Sequence, residues 1–153
     1  MSRLELLVPP PVVMLVVALA MWAVSRTFPM QLLPEASRLV LGIILGLLGV
    51  GAGVAGILAF RRARTTTDPR KPARATALVT SGIYRYSRNP MYLGVLLVLA
   101  GWAVVLGNPV SALGVLIYAL YITRYQIYPE ERQLLKTFGP GFLSYKAAVH
   151  RWI

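Results

Sequence analysis

The sequence predicts an all-α integral membrane protein, a single domain over residues 1–153, with four transmembrane helices that include a C-terminal helical hairpin, and a cytoplasmic C-terminal helical segment. Three observations support this fold class. Apolar residues make up 57% of the chain and charged residues 14%, whereas a soluble domain is roughly 45–50% apolar. Long apolar runs recur along the chain, and basic residues gather between them. That combination is typical of membrane helices joined by cytoplasmic loops.

The first two predicted spans differ in strength. Residues 39–60 form a run of 22 residues without a charge, and at 1.5 Å per residue this run makes a helix of about 33 Å, enough to cross a hydrocarbon core of roughly 30 Å. The first span, about residues 8–26, reaches that length only by including three prolines. A signal peptide is the alternative for this run. One arginine and one glutamate precede it and no A-x-A-like site follows Trp22, so we interpret it as a helix.

The third and fourth predicted spans, residues 90–106 and 110–127, flank a short turn sequence. Gly107, Asn108 and Pro109 are residue types that end helices and form turns. Because irregular backbone is not tolerated in lipid, so short a connection predicts an antiparallel hairpin whose tip lies at the far interface. The loop of residues 61–89 and the tail of residues 128–153 are then on the same side of the membrane.

The distribution of basic residues predicts which side that is. Of the 16 lysines and arginines, only Arg26 and Arg38 lie between the first two spans, which leaves 14 in the N-terminus, the 61–89 loop and the C-terminal region. The positive-inside rule therefore places both termini on the cytoplasmic side. We expect the membrane to be the inner (cytoplasmic) membrane. We attribute the net charge of +11 to contact with anionic headgroups rather than with nucleic acid. With no cysteine in the chain, thiolate metal sites are excluded, and we expect no metal.

Glycines in the second span suggest helix packing. Residues 51–56 match the G-x-G-x-x-G pattern of dinucleotide-binding proteins, but that fingerprint needs a preceding strand and a phosphate at a helix N-terminus, which an apolar span does not provide. Gly42, Gly46, Gly49 and Gly53 instead have small-xxx-small spacing, which lets two helix backbones approach closely. The partner is another helix of the chain or another protomer, so the oligomeric state stays open.

Two polar stretches flank the hairpin, residues 76–92 and 124–145. Asn89 and Pro90 form a strong helix start, and the positive end of that helix is a place for a carboxylate or phosphate, although an ordinary cap beside interfacial tyrosines is the simpler interpretation. The second stretch has Glu130 and Glu131, which alone would equally fit a salt-bridged surface patch. Arg124 is costly near an apolar span without a partner, so we expect it to meet a substrate anion, Glu130 or headgroups.

Together the stretches closely resemble a known family. The block L-V-T-S-G-I-Y-R-Y-S-R-N-P-M-Y-L-G is followed about forty residues later by E-E-R-x-L-L-x-x-F-G-x-x-F-x-x-Y-x-x-x-V-x-R-W-I. Both blocks, their order and their spacing are similar to the isoprenylcysteine carboxyl methyltransferase and phospholipid methyltransferase superfamily. The resemblance covers residues 76–153. It implies a membrane enzyme that uses S-adenosylmethionine, bound in a cytoplasm-facing pocket made by the hairpin and the C-terminal segment.

The resemblance also implies site residues. The positions that match the family's cofactor-binding residues are Thr76, Ala77, Leu78, Val79, Tyr84, Asn89, Pro90, Met91, Tyr92, Glu130 and Glu131. Asn89 occupies a position where the family usually has histidine, and an asparagine does not titrate near neutral pH. Asn89 and Arg124 are the candidate catalytic residues. His150 lies in the tail, where we expect it to meet headgroups.

The implied reaction is methyl transfer to a lipid-like acceptor that enters sideways from the bilayer. A prenylated cysteine carboxylate is slightly favoured by the E-E-R block and the R-W-I ending, and a phosphatidylethanolamine amine or a small hydrophobic thiol stays open. A non-catalytic lipid-binding or assembly protein is the alternative of another class. Residues 61–74 are rich in arginine, threonine and proline and are predicted to be a polybasic surface segment.

Overall fold

The computed structural model describes residues 5–63 and 77–153, and throughout that part of the chain the secondary structure is helical, without strands. The all-α prediction is therefore confirmed. A 3-10 turn, Gly82–Arg85, precedes the third helix, and a π-helix, Thr123–Ile127, follows the fourth. The helices are α1 (Pro10–Thr27), α2 (Glu35–Arg62), α3 (Pro90–Leu106), α4 (Leu113–Ile122), α5 (Tyr128–Phe138) and α6 (Pro140–Ala148).

Helices α1 and α2 are the two that are long and apolar enough to cross a membrane, by length and composition, within the described residues. Their large apolar side chains are largely exposed, for example Leu15 at 57% and Leu47 at 67%, as lipid-facing positions are. Helix α3 is apolar but only 17 residues long, and α4 has 10 residues before the π-helix begins. The four-span arrangement and the membrane hairpin therefore stay predictions.

Glycines allow α2 and α3 to pack backbone against backbone. A Cβ atom on Gly94 would lie 2.5 Å from the carbonyl oxygen of Gly49, and one on Gly101 would lie 2.7 Å from that of Gly42. The glycines that face α3 are spaced seven residues apart, a period that keeps them on one helix face. Close packing through Gly42 and Gly49 is thus confirmed within the chain, but a Cβ atom on Gly46 or Gly53, the other two members of the predicted set, would meet open space.

A buried arginine from α2 closes the far end of α3. The guanidinium of Arg38 donates to the carbonyl oxygens of Val105 and Leu106 at 3.1 and 3.4 Å, and to the side-chain oxygen of Gln31 at 3.4 Å. The last carbonyls of a helix have no partner within it and carry a partial negative charge. Arg38 therefore caps α3 and links it to α2 away from the candidate site.

Helix α4 continues through the π-helix into α5 without a break. The predicted fourth span ended at residue 127, but the backbone stays helical through Pro129. Because proline has no N–H group, the carbonyl of Tyr125 cannot form its usual bond to residue 129. The backbone amide of Leu6 donates to that carbonyl at 3.0 Å instead. The N-terminal segment is thereby fixed across the start of α5.

Candidate functional site

The two polar stretches that flank α3 and α4 in sequence meet in space. The backbone amide of Arg88 donates to the carbonyl of His150 at 3.0 Å. The side-chain amide of Asn89 donates to the carbonyl of Arg151 at 3.0 Å, and the hydroxyl of Ser87 lies 3.4 Å from the same oxygen. The C-terminal residues therefore lie along the start of α3, as the pairing of the two sequence blocks predicts.

Tyr92 and Glu130 form the centre of the site. Tyr92 lies in the first turn of α3 and Glu130 in the first turn of α5. Tyr92 as a residue is 8% exposed. Its hydroxyl donates a hydrogen bond to the Glu130 carboxyl at 2.5 Å. Desolvation raises the pKa of Glu130 to about 8, although the hydrogen bond from Tyr92 opposes the shift and the charge of Glu131 adds to it. Within residues 5–63 and 77–153 no lysine or arginine forms a salt bridge with this carboxyl, so no cation of that part of the chain holds it ionised.

Glu131 has a different environment from its neighbour. Its carboxylate accepts from the Nε and Nη2 atoms of Arg151 at 3.1 and 2.9 Å, and it lies 3.1 Å from Arg88 and 3.9 Å from Lys146. The hydrogen bond to Glu131 is the main reason why the pKa of Arg151 is raised. Arg151 also lies over the ring of Tyr128, 4.7 Å from its centroid. Glu131 therefore fixes the C-terminal segment to α5, whereas Glu130 is bound by the Tyr92 hydroxyl.

An apolar wall completes the site on the side of α2. Val79 and Tyr84, 6% and 5% exposed, pack with Ala59. The Tyr84 ring meets Phe60 edge-on with centroids 5.3 Å apart. The hydroxyl of Tyr145 donates to the Tyr84 carbonyl at 2.7 Å, which ties α6 to this wall.

The pKa of Tyr84, a residue of the apolar wall, depends on burial and on the nearby Glu130 carboxyl. Burial raises the pKa of Tyr84, and the nearby charges of Tyr145 and Glu130 add to the shift. Burial also raises the pKa of Tyr145 to about 12. Both phenols therefore stay neutral at any pH near 7. They offer hydroxyl groups and ring faces, not a base.

Most predicted site residues lie close to this centre. Pro90 is buried at the first position of α3, and Met91 packs against Gly56. Ala77 and Leu78 are partly buried just before Val79. Thr76 lies outside the described residues. The role of each in cofactor binding stays a prediction.

The two candidate catalytic residues have other partners in the structure. Asn89 is at the N-cap position of α3 with Pro90 after it, as predicted, but its side chain makes no cap bond and reaches Arg151 instead. Arg124 pairs with Glu5 at 3.1 Å, not with Glu130 as we considered. The side chain of Glu5 is 5% exposed and also meets Arg132 at 2.5 Å. The catalytic roles of Asn89 and Arg124 stay predictions.

Sequence reasoning missed several residues that build the site. Arg88, Tyr145 and Arg151 belong to the matched blocks, so their positions gave a signal that we did not use. Ser87, 2% exposed, accepts from the backbone amide of Asn89 at 3.1 Å. No pattern in the sequence pointed to this contact. Within the described ranges, no group of three or more His, Cys, Asp or Glu side chains is placed to hold a metal ion.

Comparisons with known proteins agree with the two-block pattern. A sequence model of the phospholipid methyltransferase family matches residues 37–141. An uncharacterised protein of Haemophilus influenzae is 44% identical over 63 residues, which cover 41% of this chain and 100% of that protein. No solved structure matches the chain.

Two named relatives are methyltransferases. The protein-S-isoprenylcysteine O-methyltransferase of Xenopus laevis is 28% identical over 136 residues, 86% of this chain and 47% of that protein. Protein-S-isoprenylcysteine O-methyltransferase A of Arabidopsis thaliana is 39% identical over 72 residues, 47% of this chain and 36% of that protein. The chain thus spans less than half the length of these two relatives.

These matches confirm the resemblance predicted from the two blocks. With two apolar helices of spanning length, they also support the predicted membrane localisation. The inner membrane and the cytoplasmic orientation of both termini stay predictions.

Proposed function

The chain belongs to the phospholipid methyltransferase family, and from this premise we propose that it is an integral membrane methyltransferase that uses S-adenosylmethionine and methylates a lipid-like acceptor. When bound, that cofactor would supply a methyl group activated by a sulfonium. The site lies at the cytoplasmic membrane face, with both termini on the same side. A methyl donor of some kind follows from the family; the choice of S-adenosylmethionine is supported by the chemistry of the residues present.

The Glu130 carboxyl is the observation that supports this proposal most directly. Desolvation raises its pKa to about 8, so the surrounding protein favours a neutral acid near pH 7. A cation placed beside it would favour the carboxylate and gain a charge-assisted interaction. A ligand with a sulfonium and an ammonium provides such a cation. The residues present therefore fit the cofactor.

The chain's own residues would position the reactants and exclude water. Tyr92 holds the Glu130 carboxyl in one orientation by its hydrogen bond. The ion pairs of Glu131 with Arg88 and Arg151 keep the C-terminal segment over the start of α3. Holding two reactants in a reactive geometry can contribute roughly 7–11 kcal/mol. Positioning would thus account for much of the catalysis.

An ionised acceptor suits this site, because the phenols near Glu130 do not act as bases near pH 7 and Asn89 does not titrate. A carboxylate needs no proton removed before it attacks a methyl group. We therefore favour a prenylated cysteine carboxylate, and the names of the relatives from Xenopus laevis and Arabidopsis thaliana, protein-S-isoprenylcysteine O-methyltransferases, support this choice. A phosphatidylethanolamine amine or a hydrophobic thiol would need to lose a proton.

Isothermal titration of the full chain in detergent with S-adenosylmethionine tests the cofactor assignment. We expect the wild-type chain to bind. Glu130→Gln should weaken binding by about 10- to 100-fold, since a hydrogen bond to a charged group contributes roughly 1.5–3 kcal/mol. Glu35→Gln is the matched control, because Glu35 is exposed at the start of α2, and it should bind like the wild type.

Failure of the wild-type chain to bind, or equal affinity in the Glu130 variant, would contradict the proposal. The first result would favour a lipid-binding or assembly protein that retains the family's scaffold without its activity.

A further inference from the structure

The hydroxyl of Tyr118 is buried in α4 without a partner. Tyr118 is 0% exposed, and its oxygen has no hydrogen-bond partner among the described residues. Buried polar groups are almost always paired, because leaving one unpaired destabilises the folded state. A phenylalanine would fill the same space without that disadvantage. The hydroxyl therefore requires an explanation outside the fold itself.

Its surroundings connect this hydroxyl to the candidate site. Tyr118 belongs to one core cluster with Tyr92, Ile122 and Ile127. Tyr92, a member of the same cluster, donates to Glu130. The helix that contains Tyr118 continues into the π-helix at residues 123–127. A π-helix is a distortion of the α-helix that is frequent at functional sites.

The position of Tyr118 along its helix indicates which ligand it serves. It lies twelve residues before Glu130, about 18 Å along a helix axis, in the middle of the predicted fourth span. A cofactor that bears a sulfonium, an ammonium and a carboxylate is strongly disfavoured at that depth. A lipid-like acceptor is not disfavoured there, because its apolar chain already lies in the bilayer. A polar group of the acceptor, rather than the cofactor, is therefore the ligand that can reach Tyr118.

We propose that Tyr118 binds the acceptor: its hydroxyl donates a hydrogen bond to a carbonyl, carboxylate or ester oxygen next to the acceptor's apolar chain. This inference rests on the proposed function and adds to it a residue that the matched sequence blocks do not contain. It also narrows the substrate class to acceptors that have an oxygen beside the chain, which a simple hydrophobic thiol lacks.

Tyr118→Phe tests the inference, with methyl transfer to a prenylated cysteine carboxylate as the assay. We expect KM for this acceptor to rise about 5- to 10-fold, the effect of losing one hydrogen bond, and the Kd for S-adenosylmethionine to stay unchanged. The midpoint of thermal unfolding should stay the same or rise, because the deleted hydroxyl has no hydrogen-bond partner in the described part of the chain. A residue with a purely structural role would not give this combination.

Tyr121→Phe is the matched control, since Tyr121 lies on the same helix, partly buried, with its ring 4.8 Å from that of Tyr125. It should leave KM unchanged. An unchanged KM in Tyr118→Phe, or a lower unfolding midpoint, would overturn the inference. The cofactor titration separates the two proposals. If the wild-type chain does not bind S-adenosylmethionine, the proposed function is contradicted. If the wild-type chain binds the cofactor and turns over, but its KM equals that of Tyr118→Phe, only this inference is contradicted.

Discussion

The protonation of Glu130 is tied both to folding and to ligand binding. An ordinary glutamate has a pKa of 4.5, and in the folded chain desolvation raises the value to about 8. Between these two values the folded state holds a proton that the unfolded state has released. Stability therefore falls as the pH rises through this window, because the state that binds more protons is favoured at low pH.

This linkage gives a prediction for stability. The unfolding midpoint of the wild-type chain should decrease from about pH 5 to about pH 8, and Glu130→Gln, which cannot ionise, should reduce that decrease. Thermal unfolding in detergent at a series of pH values measures both slopes. Identical slopes for the two proteins would show that Glu130 does not titrate in this window.

Residue identities at the site were easier to predict than residue roles. The two blocks gave Tyr92, Glu130 and Glu131, and the structure brings the first two together. The different contacts of the adjacent Glu130 and Glu131 were not predictable, because neighbouring residues on a helix point in different directions. Only packing shows that Glu131 meets arginines while Glu130 meets Tyr92. The partner of Arg124, Glu5, lies 119 residues away in sequence, beyond the reach of any local pattern.

At the scale of the helices, the close approach of α2 and α3 depends on glycines that lack a Cβ atom. Gly94→Ala should destabilise the protein by about 1–3 kcal/mol, because the new methyl group would meet the backbone of α2. Gly46→Ala is the matched control on α2. Its methyl group meets open space, and alanine favours helix by up to about 1 kcal/mol, so this variant should be as stable as the wild type or more stable.

Thermal unfolding of both variants in detergent measures the difference. A Gly94 variant as stable as the Gly46 variant would contradict the packing of α2 against α3.

Element boundaries were predictable where local chemistry decides them. The predicted third span, residues 90–106, has the bounds of α3, since Asn-Pro starts the helix and Gly107, at φ 66°, ends it. The fourth predicted span, residues 110–127, was followed by a predicted helical segment, and in the structure the helix runs on from one into the other without a break. The π-helix and the Leu6 amide accommodate Pro129 within this continuous helix. That compensation is a long-range contact, which a local pattern does not contain.

On the scale of the whole molecule, the fold brings two distant sequence blocks together beside an apolar body. Helices α1 and α2 present apolar side chains outward, α2 supports α3, and α3 and α5 meet at Tyr92 and Glu130. The C-terminal segment lies along the start of α3. In a bilayer this arrangement would place a polar site where charged cofactor and lipid acceptor can meet from different sides.

Composition and charge were sufficient to predict the all-α class and the membrane localisation, because both follow from averages over many residues. The number of spans is a finer property. It depends on how α3 and the short α4 sit relative to the lipid, which length and hydropathy alone do not determine.

Methyl transfer to a lipid-like acceptor is measured most directly by following a labelled methyl group. The full chain in detergent or vesicles is incubated with methyl-labelled S-adenosylmethionine and, separately, a prenylated cysteine carboxylate, phosphatidylethanolamine and a hydrophobic thiol. We predict label on the prenylated carboxylate that is released by base, as expected of a methyl ester, and loss of labelling in Glu130→Gln but not in Glu35→Gln. The absence of label on all three acceptors, with S-adenosylmethionine bound to the protein, would contradict the claim.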